Sequence, residues 1–374
     1  MKIRSERDSL AEVLATAGRA AGGRGGGSAV LSGLMLRAEG NRLEVTGTDL
    51  DLTIRVEQEV IGIEDGSCVV PGRLSADVVR ALEAGAVTIE GDDEKVEISS
   101  ARAHFGLRAF PSVEFPTLPG PPAPTVTVPR GALVEALRQV VRAASGDDAR
   151  PLLTGVLMTT ESSGVRLVAT DSYRLAVRDL QGIAALDEGQ GVLVPARALS
   201  EVQRLMPSGP GTDGEGPGSE IGIAPALTDI TFTSGPVRVT TRLLEGTYPD
   251  YRQLIPDHYP NRLHVGRESL LAALRRVRLL VRDNTTPVRL SMRANGVDLS
   301  VVSPEIGDAA ETVDGDYSGE DLVIAFNPSY LLDGVDAVLD DEVFIETDNP
   351  GRPATVRAAS RDDFQYLLMP VRVT

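Results

Sequence analysis

Arg7-Asp8-Ser9-Leu10 through Ala21, Arg130-Gly131-Ala132-Leu133 through Ala144, and Arg267-Glu268-Ser269-Leu270 through Val281 are three versions of one segment. Each carries apolar residues at helical spacing: Leu10, Val13, Leu14 and Ala17 in the first, Leu133, Val134, Leu137, Val140 and Val141 in the second, Leu270, Leu271, Leu274, Val277 and Leu280 in the third. Such stripes predict amphipathic helices with one buried face. Their surroundings repeat as well, with a period of about 120–135 residues, and a period of this kind is read before anything else.

Working outward, a short β-rich stretch precedes each helix: Met1–Arg4, Thr125-Val126-Thr127-Val128 and Arg262-Leu263-His264-Val265. A strand pair follows each: Leu31–Ala38 with Arg42–Gly47, Leu152–Thr159 with Val165–Ala169, and Val288–Arg293 with Val297–Val302. Gly40-Asn41, Ser163-Gly164 and Asn295-Gly296 supply the residues tight hairpins require. Two of the pairs run into Thr-Asp, at Thr48-Asp49-Leu50 and Thr170-Asp171-Ser172. A second helix follows Pro71-Gly72-Arg73, Pro195-Ala196-Arg197 and Asn327-Pro328, and proline suits a helix start because its missing N–H would be unpaired there. Further strand pairs end at Phe115-Pro116, Tyr248-Pro249 and Tyr366-Leu367.

Pro119-Gly120-Pro121-Pro122-Ala123-Pro124 and Ile255-Pro256-Asp257-His258-Tyr259-Pro260 read as linkers. The expectation is an α+β chain of three repeated domains, each with two helices on antiparallel sheets, over residues 1–122, 123–256 and 257–374. The Gly/Pro-rich Ser208–Ser219 reads as an extended loop inside the second unit, because the repeat resumes beyond it.

Composition narrows the function. Hydrophobic residues are 42% and charged residues 24%, ordinary for a globular protein; aromatics are 4% with no Trp, so cores must be built from Leu, Val, Ile and Ala. The lone Cys68 excludes an internal disulfide and reads as a small buried residue. The N-terminus lacks a signal-peptide core, and no apolar run is long enough to span a bilayer, so the expected compartment is the cytoplasm, in association with the nucleoid. Net charge is −17, against a protein that simply coats nucleic acid. Yet arginines gather on the predicted helices: Arg267, Arg275, Arg276, Arg278 and Arg282; Arg130, Arg138 and Arg142; Arg73, Arg80, Arg197 and Arg204. The last second helix departs, with Asp333, Asp336, Asp340 and Asp341. Helices lining one surface would offer arginines to phosphates without reading bases, and no base-reading or zinc motif is present. Three similar domains on a constant rotation make an arc that a head-to-tail dimer would close; an open solenoid or a three-lobed monomer satisfies the repeat too.

An enzyme is the rival class. His104, His258 and His264 lie far apart in sequence, with no metal or triad pattern around them. Asp49 and Asp171, at matched positions, read as turn caps rather than a carboxylate pair. Gly22–Gly27 lacks the ending of a phosphate loop. No metal or cofactor is expected.

Leu43-Glu44-Val45-Thr46-Gly47-Thr48-Asp49-Leu50, Val168-Ala169-Thr170-Asp171-Ser172-Tyr173-Arg174-Leu175-Ala176-Val177, Glu245-Gly246-Thr247-Tyr248-Pro249-Asp250-Tyr251 and Tyr366-Leu367-Leu368-Met369-Pro370-Val371-Arg372, in this order on a threefold repeat, resemble the β subunit of bacterial DNA polymerase III, the sliding clamps. The resemblance covers essentially the whole chain. It implies a non-catalytic processivity factor: a head-to-tail homodimer forming a six-domain ring around double-stranded DNA, opened by a clamp loader. It further implies a pocket for short peptides of the DNA polymerase III alpha subunit and other clamp-binding-motif proteins. Matched residue by residue, the pocket would be Leu153, Thr170, Ser172, Tyr173, Arg174, Leu175, Pro249, Leu254, Tyr330, Pro353, Leu367, Met369 and Pro370. Gln253 stands where a basic residue often sits and Thr285 where an aromatic can occur. The DNA contacts would be Arg24, in Gly22-Gly23-Arg24, with Arg73, Arg150, Arg197, Arg275 and Arg276; Pro151 and Leu152 replace aromatic contacts of some members. The dimer seam would set Phe105 and Leu107 against Leu279 and Leu280. A clamp-like paralogue that binds partners without being the main replicative ring is the alternative within the family.

Overall fold

A computed structural model describes residues 1–22, 28–161, 164–183, 191–206, 219–256, 258–282 and 286–372. The first repeat runs β1 (Lys2–Glu6), α1 (Arg7–Ala17), β2 (Gly33–Glu39), β3 (Arg42–Thr48), β4 (Leu52–Glu59), β5 (Ile61–Glu64), β6 (Gly66–Pro71), α2 (Gly72–Ala81), β7 (Ala86–Gly91), β8 (Lys95–Ser99) and β9 (His104–Arg108). The second runs β10 (Val126–Pro129), α3 (Arg130–Val140), β11 (Gly155–Glu161), β12 (Gly164–Thr170), β13 (Arg174–Gln181), β14 (Gly191–Pro195), α4 (Ala196–Leu205), β15 (Glu220–Pro225), β16 (Asp229–Ser234) and β17 (Val237–Arg242). The third runs β18 (Asn261–Gly266), α5 (Arg267–Val277), β19 (Val288–Arg293), β20 (Gly296–Ser303), β21 (Gly307–Ser318), β22 (Leu322–Phe326), α6 (Pro328–Ala337), β23 (Glu342–Thr347), β24 (Ala354–Ala358) and β25 (Phe364–Leu368).

The strands sort into two four-stranded antiparallel orders per repeat. One order is β6-β2-β3-β4, β14-β11-β12-β13 and β22-β19-β20-β21; the other is β1-β7-β8-β9, β10-β15-β16-β17 and β18-β23-β24-β25. The chain divides into two compact units, Met1–Val134 with Arg197–Leu243 and Glu135–Ala196 with Leu244–Thr374. The first unit holds a joint in which β17 lies antiparallel on β4, Thr241 opposite Leu52 and Val237 opposite Val56. The second unit holds the same joint, β25 on β13, with Leu368 opposite Arg174 and Phe364 opposite Arg178. Among the described residues, β9 keeps one edge without a strand partner, and so does β21 over Gly307–Asp314.

Local chemistry explains the elements. β1 and β8 alternate buried and exposed residues, as strands with one covered face do. α1 buries Leu10, Ala11, Val13, Leu14 and Ala17, and α5 buries Leu270, Leu271, Ala273, Leu274 and Val277. At the start of α6, the Asn327 side chain accepts hydrogen bonds from Ser329 N (2.9 Å) and Tyr330 N (3.2 Å), with Pro328 in the first turn. The helices stop short of the predicted Ala21, Ala144 and Val281. After Ala17, Val140 and Val277 the chain tightens to i→i−3 bonding, as 3-10 turns at Val141–Ala143 and Arg278–Leu280 and as Arg19 N to Thr16 O in the first repeat. The predicted strands from Leu31 and Leu152 begin later, after 3-10 turns at Ala29–Ser32 and Pro151–Thr154. β11 opens at Gly155, where a Cβ would stand 2.8 Å from the Leu193 side chain.

The cores are aliphatic, with Tyr366, Phe232 and Phe326 the largest fully buried side chains. Cys68 is buried, and burial pushes its thiol up to about 12, so it is inert packing. No helix among the described residues is long and apolar enough to cross a membrane.

Ion pairs brace the β4–β17 joint. Glu57 on β4 takes Arg42 from β3 and Arg238 from β17. Burial opposes its charge, but the two arginines outweigh that and hold the carboxyl below its ordinary range. A depressed carboxylate stabilises the fold above the unfolded-state glutamate value, and the contribution is lost as pH falls through the folded value. Glu57→Gln is expected to lower the melting temperature at pH 7 and flatten the acid limb of the melting-temperature–pH curve below the ordinary glutamate range. Parallel acid limbs in both proteins would contradict this role.

Candidate partner-binding site and nucleic-acid face

The two Thr-Asp turns are built alike. Thr48 Oγ1 accepts from Leu50 N at 3.0 Å, and Thr170 Oγ1 from Ser172 N at 3.1 Å. Asp49 Oδ1 accepts from Leu52 N at 2.8 Å, and Asp171 Oδ1 from Arg174 N at 3.0 Å. These side-chain bonds hold Leu50 (φ 78°) and Ser172 (φ 80°) in the left-handed region, which costs a residue with a Cβ roughly 1–2 kcal/mol. Both aspartates cap turns, as expected from the sequence.

The turns differ in how the second carboxylate oxygen is used. Asp49 Oδ2 takes Arg197 Nη1 at 2.6 Å. Asp171 Oδ2 takes Arg174 Nε at 3.0 Å, within its own turn. Arg174 then reaches Asp333 Oδ2 (2.6 Å) and the Tyr366 hydroxyl (3.1 Å) through Nη1, and its guanidinium stacks over the Tyr330 ring at 4.3 Å. Burial works against its charge, but Tyr366, Asp333 and Asp171 outweigh it and raise its pKa. Tyr173 stacks on Tyr330, ring centroids 6.5 Å apart.

These bonds gather much of the predicted pocket in one unit. Leu175 lies opposite Leu367, and Met369 N donates to Tyr173 O at 2.9 Å. Leu175 and Leu367 pack with Val168, Val177 and Tyr251, and Tyr248 and Ile255 lean on them. Pro353 precedes Ala354, which is opposite Leu368. Leu153 lies within the 3-10 turn Pro151–Thr154, which follows Arg150, whose Nη1 donates to Ser172 Oγ at 3.3 Å. Thr170 and Leu153 are buried, while Ser172, Tyr173, Pro249, Leu254 and Met369 are exposed and Tyr330, Pro353 and Pro370 half-buried. Apolar floor, exposed Met, Leu and Tyr, and a fixed guanidinium suit a short peptide with an aliphatic or aromatic anchor. Gln253 is occupied by Asp250, Nε2 to Oδ2 2.7 Å.

Sequence reasoning missed Asp333 and Tyr366, which position Arg174. Asp333 was visible only as an acid among arginine-bearing helices. It also meets Arg142, as Asp336 does.

The arginines assigned to DNA are unequal. Arg24 and Thr285 lie outside the described residues. Arg73, at the start of α2, has a 97% exposed side chain, and the acid paired with it among the described residues is Asp77, at 3.8 Å. Arg150 binds Asp147 and the pocket turn. Arg197 is paired with Asp49, Arg275 stands 3.7 Å from Asp336, and Arg276 grips Glu311 with two nitrogens. Phe105 and Leu107 sit on β9, the strand with a free edge, where Phe105 is exposed and Leu107 half-buried. Leu279 is 80% exposed and Leu280 half-buried. Among the described residues, no group of His, Cys, Asp and Glu could hold a metal ion.

Comparison with known proteins gives one answer along the chain. Residues 1–119 match the N-terminal domain of the DNA polymerase III beta subunit, residues 127–250 its central domain and residues 252–372 its C-terminal domain. A beta sliding clamp of Streptomyces coelicolor is 38% identical over 387 aligned residues, covering 100% of both chains. One of Staphylococcus aureus is 31% identical over 355 residues, 92% of each. Among solved structures, the DNA polymerase sliding clamp of Bacillus subtilis superposes with a TM-score of 0.91 at 29% identity, and a Bartonella birtlesii sliding clamp bound to griselimycin with 0.90 at 30%, each over 100% of both chains.

Proposed function

The chain belongs to the DNA polymerase III beta-subunit family, whose members are non-catalytic sliding clamps, and we propose that two copies close head to tail into a six-domain ring around duplex DNA. The observation that carries the ring is the repeated joint. Each unit contains one β17-on-β4 or β25-on-β13 pairing in the same register, and one strand of each kind, β9 and β21, is left with a free edge. Exposed strand edges are a liability that proteins cover. Pairing β9 of one chain with β21 of another, twice, satisfies every edge of these two kinds and needs no further subunit. Boundaries at 122/123 and 256/257 divide each chain into three domains.

DNA is held by phosphates alone. Arg24, Arg73, Arg150, Arg197, Arg275 and Arg276 make the contacts, and among those described Arg73, with its side chain 97% exposed, is the most open to a phosphate; binding is indifferent to base sequence and weakens with salt. The groove around Tyr173, Arg174 and Met369 takes the clamp-binding segments of the polymerase alpha subunit, the clamp loader and other DNA-processing proteins.

The deciding experiment pairs mass in solution with retention on DNA. A dimer that stays on nicked circular plasmid after loading and runs off the same plasmid once linearised is expected. A single subunit, or equal retention on both forms, would sink the ring. For the pocket, Met369→Ala is expected to cost about 1–3 kcal/mol of affinity for a polymerase clamp-binding peptide through lost apolar burial. Calorimetry with no change in affinity would remove Met369 from the pocket.

A further inference from the structure

The outer face of β2, β3 and β4 departs from its counterpart in the second repeat. Matched through their hairpins, Met35, Thr46 and Arg55 stand where Leu157, Val168 and Val177 stand. In the second repeat this face is sealed by apolar contact, with Val168, Val177 and Tyr251 in one cluster and Leu157 and Tyr248 packed on it. In the first repeat the covering residues are Phe115 and Leu118, and a cavity of about 540 Å³ stays open there to solvent. That volume lies in the range of small-ligand sites.

Arg55 lines this cavity and is only 7% exposed. It donates from Nη2 to Pro119 O at 2.7 Å. Among the described residues, no carboxylate lies within ion-pair distance of it. Its cross-strand neighbour is Arg238, a like charge, and Glu57, two residues along β4, is already shared by Arg238 and Arg42. Glu44 acts on Arg55 only from farther off. Burial first, and then Arg238, pull this guanidinium below its ordinary range. A buried cation without a counter-ion is unfavourable, and a carboxylate entering the cavity would supply one with the geometry guanidinium prefers.

The other walls define what carries that carboxylate. Met35, Phe115 and Leu118 are apolar, Arg37 is an exposed second cation, and the exposed Glu39 and Asp65 and the half-buried Glu44 are acids. Those acids repel phosphates and nucleic acid and favour a ligand with a cation beside its carboxylate. We propose that this cavity is a second docking point, separate from the Tyr173–Met369 groove, for a short peptide segment that sets a carboxylate on Arg55 and an aliphatic side chain against Met35 and Phe115. The carboxylate is a chain terminus or an acidic side chain.

The test uses the full chain with 13C-methyl-labelled methionine and three hexapeptides. The first is Ala-Arg-Ala-Leu-Leu-Leu with a free C-terminus, the second its C-terminal amide, and the third the amide with Glu replacing the last Leu. The free acid or the Glu peptide is expected to shift the Met35 methyl with at least tenfold higher affinity than the neutral amide, and the one that does so names the source of the carboxylate. Arg55→Met, a substitution toward the apolar residue of the second repeat, is expected to abolish that preference. Equal binding of all three peptides, or shifts at Met369 in place of Met35, overturns the proposal. If Arg55→Met does not fold, the acid-against-amide comparison on the unaltered protein decides alone.

Discussion

Leu279→Asp is expected to convert the dimer into single folded subunits and abolish retention on circular DNA. The position can be read from the joints inside the chain. Counted from the start of α1, α3 and α5, Arg19, Arg142 and Leu279 occupy one site. Arg19 pairs with Glu201 of α4, and Arg142 with Asp333 of α6. In both joints, then, the site meets an acid on a second helix, at the place where α2 carries Asp77. At the proposed seam between chains the matching residue is Leu279 in place of arginine, and α2 offers an exposed Leu74 beside Asp77. A seam built this way is apolar where the internal joints are ionic. A carboxylate at 279 would lose roughly 1.5–3 kcal/mol of leucine burial and also face Asp77 in a desolvated contact. About 3 kcal/mol at each of two seams weakens the dimer on the order of 10⁴-fold.

The same substitution leaves the subunit alone, because Leu279 is 80% exposed within it. Equilibrium sedimentation is expected to show half the mass with an unchanged melting profile for the subunit. Carrying the register of the two joints to the seam sets His104 opposite Ala310 and Leu107 opposite Gly307, so a cysteine pair at 104 and 310 is expected to cross-link two chains. A Leu279→Asp protein that stays dimeric at micromolar concentration would remove this seam from the molecule.

What the sequence made legible, and what it hid, follows from the range of each interaction. Helix stripes and hairpin turns are local codes, so the three repeats and the Thr-Asp caps could be read directly. The joints were hidden because β4 and β17 pair through backbone groups, which carry no side-chain signature across such a separation. The charge reading could not see partners distant in sequence. Arg197 and Arg276 count as free cations when only their helices are considered, yet Asp49 and Glu311, distant in sequence, pair with them. Asp333 counted against the arginine trend and proves to be the acid that holds Arg174 and Arg142. The helix ends were overestimated because apolar periodicity continues through a 3-10 turn, as at Leu279 and Leu280, and periodicity alone does not register the change of bonding.

Arg174→Ala carries the second large effect, and it separates positioning from contact in the proposed peptide groove. The guanidinium touches both Asp171 and Asp333, donates to Tyr366 and stacks over the Tyr330 ring. Its removal leaves Asp171, 10% exposed, without its cation, and frees the Tyr330 ring on which Tyr173 stacks. Breaking a buried ion pair from one side costs about 3–5 kcal/mol; Asp333 is partly solvated, so a stability loss of about 3 kcal/mol is expected. Peptide affinity should fall on the order of 100-fold, since both tyrosines at the rim lose their fixed orientation. Arg174→Lys separates the causes. A lysine restores one charge but cannot bridge two carboxylates while stacking on a ring, so it should recover part of the stability and little of the affinity. If lysine restores peptide binding in full, the groove needs only a positive charge there, and the arrangement of Asp171, Asp333, Tyr366 and Tyr330 around Arg174 has no part in recognition.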